Sequence, residues 1–400
     1  MILSQSDQSL LVAVLPAVER WDGKGGAVAR WVHEVYGRSF GFAEVLAPHR
    51  IHTSGIERLY DAYDNAIRVV ATVVSRFVDA PYAVVHRKLT FKDWLWKRIM
   101  VRRAKRASIV HIHNRPDYVE YLRRSGYSGK VVLHMHNSLR GYVSPADFAQ
   151  ISGDIDLMYF CSSFLLEEAR DQYLLPRSRV LSNGVDLTVS KSAEVGVSSR
   201  KKGRLIFAGR LVPEKGAVEA VEIVEEVLRR GYDVELDMYG ASGLADANPT
   251  TSYVRRLAAV IERVDREWPG RVRMRGPIAH ADLIAEFAAS DALLLPCRWD
   301  EPFGMVAIEA MSVGLVPIVS ARGALPDVVA RGGVPVSFSG DDCVANFVPA
   351  VLEMLDLDEA ACLDMREHAR ARARDFSWDH ISADMREDFS RSFGSTDLIR

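Results

Sequence analysis

The sequence predicts an α/β protein built from two doubly wound parallel sheets. Short apolar runs alternate with segments of helical periodicity in two successive blocks, which is the pattern of parallel strands covered by their connecting helices. A polar, Ser/Lys-rich stretch at residues 188–203 separates the blocks. The chain has 400 residues, 48% of them hydrophobic, which is enough for two domains with separate cores.

Apolar runs of strand length define the expected sheets. Those of the first block lie at residues 10–15, 82–85, 108–113, 130–136, 156–161 and 179–182. Those of the second block lie at residues 205–208, 234–239, 272–275, 292–295, 316–319 and 334–337. Because doubly wound sheets bind ligands at the carboxyl ends of their strands, a ligand in a central cleft would touch both sheets, and closure of the cleft would gate a reaction.

The most informative segment is RWDEPFGMVAIEAMSVGLVPIVS, which begins at Arg298. It follows a buried strand and predicts a turn at residues 300–302 and a helix over residues 303–313. The start of this helix would lie at the ligand edge of a sheet, where unpaired N–H groups attract anions. Gly304 would let a phosphate or a sugar approach the backbone closely.

Two carboxylates, Glu301 and Glu309, bracket the start of this helix. Their separation of about 12 Å along a helix is too large for one metal ion or one proton transfer. It suits the two ends of a long ligand whose hydroxyls donate to the carboxylates. Two ordinary solvated acids, one at a helix start and one on a helix surface, are the alternative interpretation.

A second segment, RLIFAGRLVPEKG at residues 204–216, predicts a strand, a loop and the start of a helix that continues to residue 230. Arg210 and Lys215 would therefore lie at the ligand edge of the second sheet. Two cations there could neutralise a diphosphate, Arg210 through its planar fork and Lys215 as a point charge. Surface placement is the alternative for each residue taken alone.

The segment WDGKGGA at residues 21–27 follows the first strand and precedes a helical pattern. Gly25 and Gly26 would permit close approach of a phosphate or a sugar. A dinucleotide-binding loop is the alternative, but Val28 takes the place of the last glycine in the G-x-G-x-x-G pattern.

Two histidine pairs lie at expected strand ends, His111 with His113 and His134 with His136. Alternation places both members of a pair on one face of the strand, and His113 and His136 lie closest to the ligand edge. Four histidines could bind a metal, but no carboxylate cluster accompanies them at ligand spacing, so we expect no metal. A structural role is the alternative, above all for His113.

Six motifs together resemble the retaining nucleotide-sugar glycosyltransferases of family four, also called glycosyl transferases group 1, which have the GT-B fold. They are HIHNRP at residues 111–116, VVLHMHN at 131–137, NGVD at 183–186, GRLVPEKG at 209–216, EPFGMVAIEAMSVGLVPIV at 301–319 and FSWD at 376–379. Their order and spacing cover most of the chain and are specific for the family, but they do not identify the sugar.

The resemblance implies sugar transfer with retention of the anomeric configuration, without a metal or another cofactor. Arg210 and Lys215 would stabilise the leaving diphosphate together with the helix start at Gly304 and Met305. Glu301 would hold sugar hydroxyls, and Glu309 would hold the ribose. The further donor contacts expected are Gly25, Gly26, Gly209, Phe303, Gly276 and Ile278.

The resemblance also assigns His136, which matches a histidine that contacts the donor sugar near the reacting carbon. The base would contact backbone groups around Tyr239 and Gly240 and at residues 276–278. The sequence Asp356-Leu357-Asp358 lies in an expected helix, and we do not expect it to bind a metal as Asp-x-Asp motifs do in other glycosyltransferases. The implied domains are 1–187 on the acceptor side, a linker at 188–203, a donor-binding domain at 204–375 and a C-terminal helix at 376–400 that crosses back.

One basic segment bears on the acceptor. Residues 87–106 contain nine Lys or Arg residues and a single acid, interleaved with two tryptophans. Such a composition suits an anionic membrane surface or a phosphorylated glycolipid, and an ordinary solvated helix with inward aromatics is the alternative. The cations proposed to make this contact are Lys97, Arg98, Arg102 and Arg103.

Composition limits the remaining classes. A formal net charge of −2 gives no general attraction to nucleic acid. Four scattered cysteines, the lack of an apolar run of about 18 residues and an amino terminus without a basic region predict a cytoplasmic protein with neither signal peptide nor membrane span, peripheral at most on the inner face of the cytoplasmic membrane. The cysteines are Cys161, Cys297, Cys343 and Cys362.

The predicted function is transfer of a sugar from a nucleotide-diphosphate sugar to a glycan or lipid-linked acceptor. The resemblance favours UDP-sugars, with GDP-mannose next, and a place in bacterial surface polysaccharide or glycolipid synthesis. A catalytically weak carbohydrate-binding or scaffold protein on the same fold is the alternative. A phosphorylase is disfavoured because no lysine stands in a context typical of a pyridoxal cofactor.

Overall fold

The computed structural model describes residues 11–16, 26–39, 43–46, 90–190, 203–241 and 251–394. The chain forms two compact units. One comprises Met1–Asn183 and Trp378–Arg400, and the other comprises Gly184–Ser377. The predicted linker at residues 188–203 lies for the most part outside the described residues and stays a prediction, as do the other predicted boundaries.

The N-terminal unit contains a parallel sheet with strand order β2-β1-β3-β4-β5-β6. Its strands are β1 (Leu11–Val14), β2 (Ala43–Leu46), β3 (Ile109–His113), β4 (Lys130–Met135), β5 (Leu157–Phe160) and β6 (Ser178–Val180). Its first five described helices are α1 (Ala27–Ser39), α2 (Thr90–Ala104), α3 (Asp117–Arg124), α4 (Pro145–Ile151) and α5 (Ser163–Arg170). Every residue of β3 and β5 is buried, as expected of strands covered on both faces.

The C-terminal unit contains a second parallel sheet, with strand order β12-β11-β10-β7-β8-β9. Its strands are β7 (Gly203–Ala208), β8 (Val234–Tyr239), β9 (Val272–Gly276), β10 (Ala292–Leu295), β11 (Val316–Ser320) and β12 (Val334–Val336). Its described helices are α6 (Leu187–Ser190), α7 (Ala217–Arg229), α8 (Ser252–Glu267), α9 (His280–Ala288), α10 (Met305–Ser312), α11 (Leu325–Val329), α12 (Cys343–Leu355) and α13 (Glu359–Arg374).

The last helix, α14 (Trp378–Phe393), belongs to the N-terminal unit, although it follows the C-terminal unit in sequence. It packs against α1, and the Ser382 hydroxyl donates to the Val35 carbonyl oxygen at 3.4 Å. The chain therefore returns to its first unit in its last helix.

These sheets confirm the predicted α/β class with two parallel sheets. Each described strand except β2 overlaps a predicted run. The run at residues 82–85 lies outside the described residues. Strand β2 was missed because its four residues, AEVL, contain a glutamate and form no apolar run.

Helix boundaries differ from the prediction where a backbone turn intervenes. The helix expected to begin at Lys215 is a 3-10 turn, Pro213–Lys215, followed by Gly216 with a left-handed φ of 72° and then by α7. Helix α10 begins at Met305, because Gly304 takes a left-handed conformation with φ 98° as its N-cap.

The Asp356–Asp358 stretch was wrongly expected inside a helix. It lies between α12 and α13, where the Asp358 carboxylate accepts a hydrogen bond from the Ala361 N–H at 2.8 Å and caps α13. Cys161, Cys297 and Cys343 are buried. Cys362 is half-buried, and none of these four cysteines forms a disulfide bond in the described structure.

Candidate active site

An ion pair between Lys215 and Glu301 lies at the carboxyl edge of the C-terminal sheet. Lys215 follows β7, and Glu301 follows β10, the neighbouring strand. Lys215 Nζ lies 2.6 Å from Glu301 Oε2, and Trp299 Nε1 donates to the same oxygen at 2.8 Å. Glu301 is 8% exposed, and its Oε1 has no hydrogen-bond partner among the described residues. This oxygen can accept a hydrogen bond from a hydroxyl group of a ligand.

The two loops that carry this pair are joined through their backbones. The Arg298 N–H donates to the Glu214 carbonyl oxygen at 2.9 Å. A Cβ at Gly216 would lie 1.9 Å from the carbonyl oxygen of Pro296, so only glycine permits this approach. The position of Lys215 relative to Glu301 is therefore fixed by main-chain packing.

Arg210 stands at the same edge and has a different environment. Its side chain is exposed and has no ion-pair partner among the residues that the structure describes. Lys215 by contrast is about one-fifth exposed and paired. An exposed guanidinium without a carboxylate partner is available to an anionic ligand.

Three glycines lie where β7, β8 and β9 end. The Gly209 N–H donates to the Tyr239 carbonyl oxygen at 3.0 Å, and the Gly240 N–H donates to the Gly276 carbonyl oxygen at 3.1 Å. A Cβ at Gly240 would lie 1.8 Å from the Gly209 carbonyl oxygen. Backbone without side chains therefore lines this part of the edge, with Ile278, 38% exposed, beside it.

Helix α10 begins just after Glu301, at the segment predicted to bind the leaving group. Gly304 is the N-cap, and Met305 is the first helical residue, so the first N–H groups have no partner within the helix. The Phe303 side chain is buried and packs edge-on against Phe376, with ring centres 5.6 Å apart. A contact between Phe303 and a donor would therefore involve its backbone.

Glu309 lies on the same helix and is paired with a residue that the sequence did not single out. His280 Nε2, at the start of α9, lies 3.0 Å from Glu309 Oε1. Glu309 is only 5% exposed, which excludes the alternative of a solvated surface acid. His280 and Trp299 were missed because a lone histidine carries no motif and Trp299 stands just before the matched one.

The other predicted site residues belong to the N-terminal unit. Gly25 lies outside the described residues, and Gly26 is exposed directly before α1. His136 is buried: its backbone N–H donates to Asn114 Oδ1 at 2.7 Å, and its Nδ1 lies 3.2 Å from Asn183 Oδ1. Burial lowers the pKa of His136 to about 4, and the hydrogen bond to Asn183 only partly opposes this effect. The imidazole is therefore neutral at neutral pH.

The predicted acceptor cations on α2 fall into two groups. Lys97 pairs with Asp117 at 3.1 Å, and Arg103 pairs with Glu44 at 3.1 Å. Arg98 and Arg102 are exposed. The Arg98 guanidinium lies 5.0 Å from the ring centre of Trp94, which is 45% exposed, whereas Trp96 is buried. Part of the helix is thus an ordinary packed face, and part is a basic surface with an exposed tryptophan.

None of the helices in the described part of the chain is both long and apolar enough to cross a membrane. The two parallel sheets, with cations and carboxylates at a carboxyl edge, define a protein of the GT-B fold class.

Solved structures agree with this class. A glycosyltransferase from Rickettsia africae superposes with a TM-score of 0.69 at 14% identity, covering 98% of this chain and all of that chain. HepE of Anabaena, solved in complex with UDP, superposes with a TM-score of 0.68 at 16% identity, covering 95% of this chain and 99% of that chain. At such identities the likeness shows the fold.

Sequence comparison finds a family match in the C-terminal half of the chain. Residues 190–375 match the family described as Glycosyl transferases group 1. The D-inositol 3-phosphate glycosyltransferase of Corynebacterium efficiens is 31% identical over 212 residues, which are 50% of this chain and 48% of that protein. The putative glycosyltransferase YtcC of Bacillus subtilis is 23% identical over 290 residues, which are 67% of this chain and 70% of that protein. The chain thus spans about half the length of the first of these relatives.

Proposed function

We propose that the protein is a retaining glycosyltransferase that moves a sugar from a nucleoside-diphosphate sugar to a glycan or lipid-linked acceptor. The observation that carries the proposal is the Lys215–Glu301 pair, 2.6 Å apart at the carboxyl edge of the second sheet. The match of residues 190–375 to the Glycosyl transferases group 1 model supports the same activity.

The diphosphate accounts for the cations at this edge. Charge develops on the leaving phosphate as the bond to the sugar breaks, and donors already aimed at that charge lower the barrier. Arg210 is exposed without an acidic partner among the described residues, Lys215 is held in place, and the α10 start offers N–H groups. These three features act together on one leaving group.

The carboxylates account for the rest of the donor. Glu301 keeps one oxygen for a sugar hydroxyl because Lys215 and Trp299 bind the other. Glu309 would accept from the ribose, with His280 as its neighbour. Neither carboxylate serves as acid or base in this assignment, and His136 contacts the sugar as a neutral imidazole.

The reaction proceeds on one face of the sugar. The acceptor hydroxyl oxygen forms a bond to the anomeric carbon while the bond from that carbon to the phosphate oxygen breaks. The acceptor proton passes to the leaving phosphate, and the electron pair of the broken bond stays on the diphosphate. No side chain forms a covalent intermediate, and no metal ion is needed.

We favour a UDP-sugar as donor and GDP-mannose as the next candidate. HepE, which shares the fold, was solved in complex with UDP. A thermal-shift screen of the full-length protein against UDP, GDP and ADP tests this choice. UDP is expected to raise the melting temperature most, and a larger shift with GDP would reassign the base. No shift with any of the three would favour the scaffold alternative.

The acceptor is proposed to reach the protein at the basic face of α2, at the cytoplasmic side of a membrane. Arg98 and Arg102 are exposed there, and Trp94 is well placed for a headgroup region. Flotation with vesicles containing anionic lipid should carry the protein at low salt and release it at high salt. Flotation that the double substitution Arg98→Ala, Arg102→Ala leaves unchanged would place the membrane contact elsewhere, and no flotation at low salt would favour a soluble acceptor.

A further inference from the structure

Four buried histidines of the N-terminal sheet lie against one another. His111 and His113 on β3 face the same side as His134 and His136 near the end of β4, and the strand register places His113 opposite His134. The rings of His134 and His136 are stacked with centres 4.0 Å apart. The indole of Trp31 lies against this group, with its ring centre 4.8 Å from that of His134.

Three of these histidines converge. One ring nitrogen each of His111, His113 and His134 lies within 4.8 Å of the others. The same three histidines carry buried ring nitrogens without a hydrogen-bond partner among the described residues. These nitrogens are His111 Nε2, His113 Nε2 and His134 Nδ1. Buried polar atoms are almost always bonded, so three such atoms in one cluster indicate that a binding partner belongs there.

Hydrogen bonds fix where two of the lone pairs lie. A neutral imidazole carries one proton, on one of its two ring nitrogens. His134 Nε2 must donate to the Leu181 carbonyl oxygen at 3.2 Å, which leaves Nδ1 as an acceptor. His136 Nδ1 donates to Asn183 Oδ1, so its Nε2 accepts from His113 Nδ1 at 3.0 Å. His113 Nε2 is then an acceptor as well.

His111 supplies the third lone pair when its ring takes one of its two tautomers. Its Nδ1 lies 2.5 Å from the Tyr36 hydroxyl. If this nitrogen donates to Tyr36, Nε2 becomes an acceptor. Three buried lone pairs then belong to one cluster of histidines without a donor, and one internal water could donate to only two of them.

We propose that His111, His113 and His134 form a buried site for a divalent transition-metal ion such as Zn²⁺. Neutral imidazole nitrogens are preferred ligands of such ions. Bond lengths of about 2.0–2.1 Å require ring nitrogens about 3.3 Å apart, which small rotations of the three rings would provide. A water molecule would complete four-coordination.

The surroundings have the features expected around a metal. Each ligand histidine is oriented by a bond from its other nitrogen, to Tyr36, to His136 and to Leu181 respectively, as is usual for metal-bound histidines. The ligand set contains no carboxylate among the described residues. The Tyr159 ring lies 5.6 Å from that of His134, and its hydroxyl donates to the Asp388 carboxylate at 3.3 Å.

The ion would join β3 to β4 and would hold His113 in the orientation that donates to His136. This role is separate from sugar transfer, for which we propose no metal. We expected no metal from the sequence, because the histidines lack an accompanying carboxylate cluster. The structure adds the strand register, which brings histidines from two strands to one point.

Metal content of the full-length protein tests the site without an activity assay. Wild-type protein, refolded with a small excess of Zn²⁺ and desalted, should retain about one zinc ion per chain, as measured by inductively coupled plasma mass spectrometry. His113→Asn and His134→Asn should each lose at least about tenfold in affinity. His368→Asn, which removes an exposed histidine of α13, is the matched control and should bind like wild type.

Cobalt gives a second readout that does not depend on the variants. Wild-type protein refolded with Co²⁺ should show visible absorption bands of four-coordinate cobalt with nitrogen ligands, and Zn²⁺ should abolish them by competition. If His113→Asn or His134→Asn fails to fold, this spectrum still decides. The proposal is overturned if folded wild-type protein binds neither ion. It is also overturned if both ligand variants fold and retain as much zinc as wild type. In either case the buried nitrogens would accept hydrogen bonds from internal water.

Discussion

Lys215 Nζ and Glu301 Oε2 are 2.6 Å apart, and the carboxylate oxygen that Lys215 binds is also bound by the Trp299 indole. The pair joins the loops after two adjacent strands, β7 and β10. The cation proposed for the diphosphate and the carboxylate proposed for the sugar are therefore side by side, and substitutions can test the two proposed roles separately.

Glu301→Gln should separate turnover from nucleotide affinity. The substitution removes a negative charge next to Lys215, so UDP should bind as tightly as to wild type or more tightly, while turnover falls at least about tenfold because the contact to the sugar is weakened. Calorimetry and a kinetic assay measure the two effects. Glu214→Gln, an exposed neighbour, should change neither, and UDP binding weakened tenfold by Glu301→Gln would contradict this division.

Glu309→Gln should act mainly on nucleotide affinity. The side chain is buried beside His280. An amide oxygen accepts a hydrogen bond from a ribose hydroxyl less strongly than a carboxylate does. We expect the Kd of UDP to rise about five- to tenfold, which corresponds to about 1–1.4 kcal/mol. Calorimetry at several temperatures measures it, with Glu359→Gln, exposed at the start of α13, as the control. An unchanged Kd would remove Glu309 from the ribose site.

Gly216→Ala should destabilise the C-terminal unit more than a matched glycine substitution does. Gly216 and Gly270 have nearly the same φ, 72° and 71°, but a Cβ at Gly216 would meet the Pro296 carbonyl oxygen at 1.9 Å, whereas none is within 4 Å at Gly270. The free energy of unfolding should fall by about 1 kcal/mol for Gly270→Ala, from the φ angle alone. It should fall by about 2–4 kcal/mol for Gly216→Ala, where the steric contact adds to the φ angle.

Thermal unfolding of the two alanine variants measures this difference. Gly216→Ala should also lower turnover, because the backbone that positions Lys215 must shift. Equal melting temperatures for the two variants would show that the loop after β7 is not held against Pro296 as described.

Acid should weaken the C-terminal unit through Asp237. Burial opposes ionisation of this carboxyl group, but hydrogen bonds from Arg273 and Arg275 outweigh it and lower the pKa of Asp237 from 3.8 to about 2. A carboxyl group with a lowered pKa stabilises the folded state at pH values above the pKa that the group has in the unfolded chain. This contribution to the free energy of unfolding, about 2 kcal/mol, is lost as the pH falls from about 4 to about 2.

Unfolding measured across that pH range tests the role of Asp237. Asp237→Asn should be less stable than wild type at neutral pH and should show a smaller loss of stability between about pH 4 and 2. Asp265→Asn, an exposed acid of α8, should keep the wild-type slope. A slope unchanged by Asp237→Asn would mean that other carboxyl groups govern acid unfolding.

The sequence was sufficient where local pattern decides the structure. Apolar runs located the strands, and the position of Glu301 after one strand and Lys215 after another placed both at a carboxyl edge. Strand β2 escaped because Glu44 interrupts a run of only four residues. The left-handed turn at Gly216 escaped because PEKG continues a helical pattern until the backbone meets Pro296.

What the sequence could not supply was the pairing of distant segments. His280 carries no motif, and only the packing of α9 beside α10 brings it to Glu309. Alternation placed both histidines of each pair on one face, but only the register between β3 and β4 sets His113 opposite His134. Such contacts depend on strand order and register, which a single sequence leaves open.

Release of nucleoside diphosphate from donor sugars tests the central proposal most directly. The full-length protein, incubated with UDP-glucose, other UDP-sugars and GDP-mannose, is predicted to release diphosphate from at least one donor. Lys215→Ala should lower that rate at least about tenfold, while Lys130→Ala, an exposed lysine of the other unit, should leave it unchanged. No release from any donor by folded wild-type protein, or the same rate in Lys215→Ala, would contradict the account.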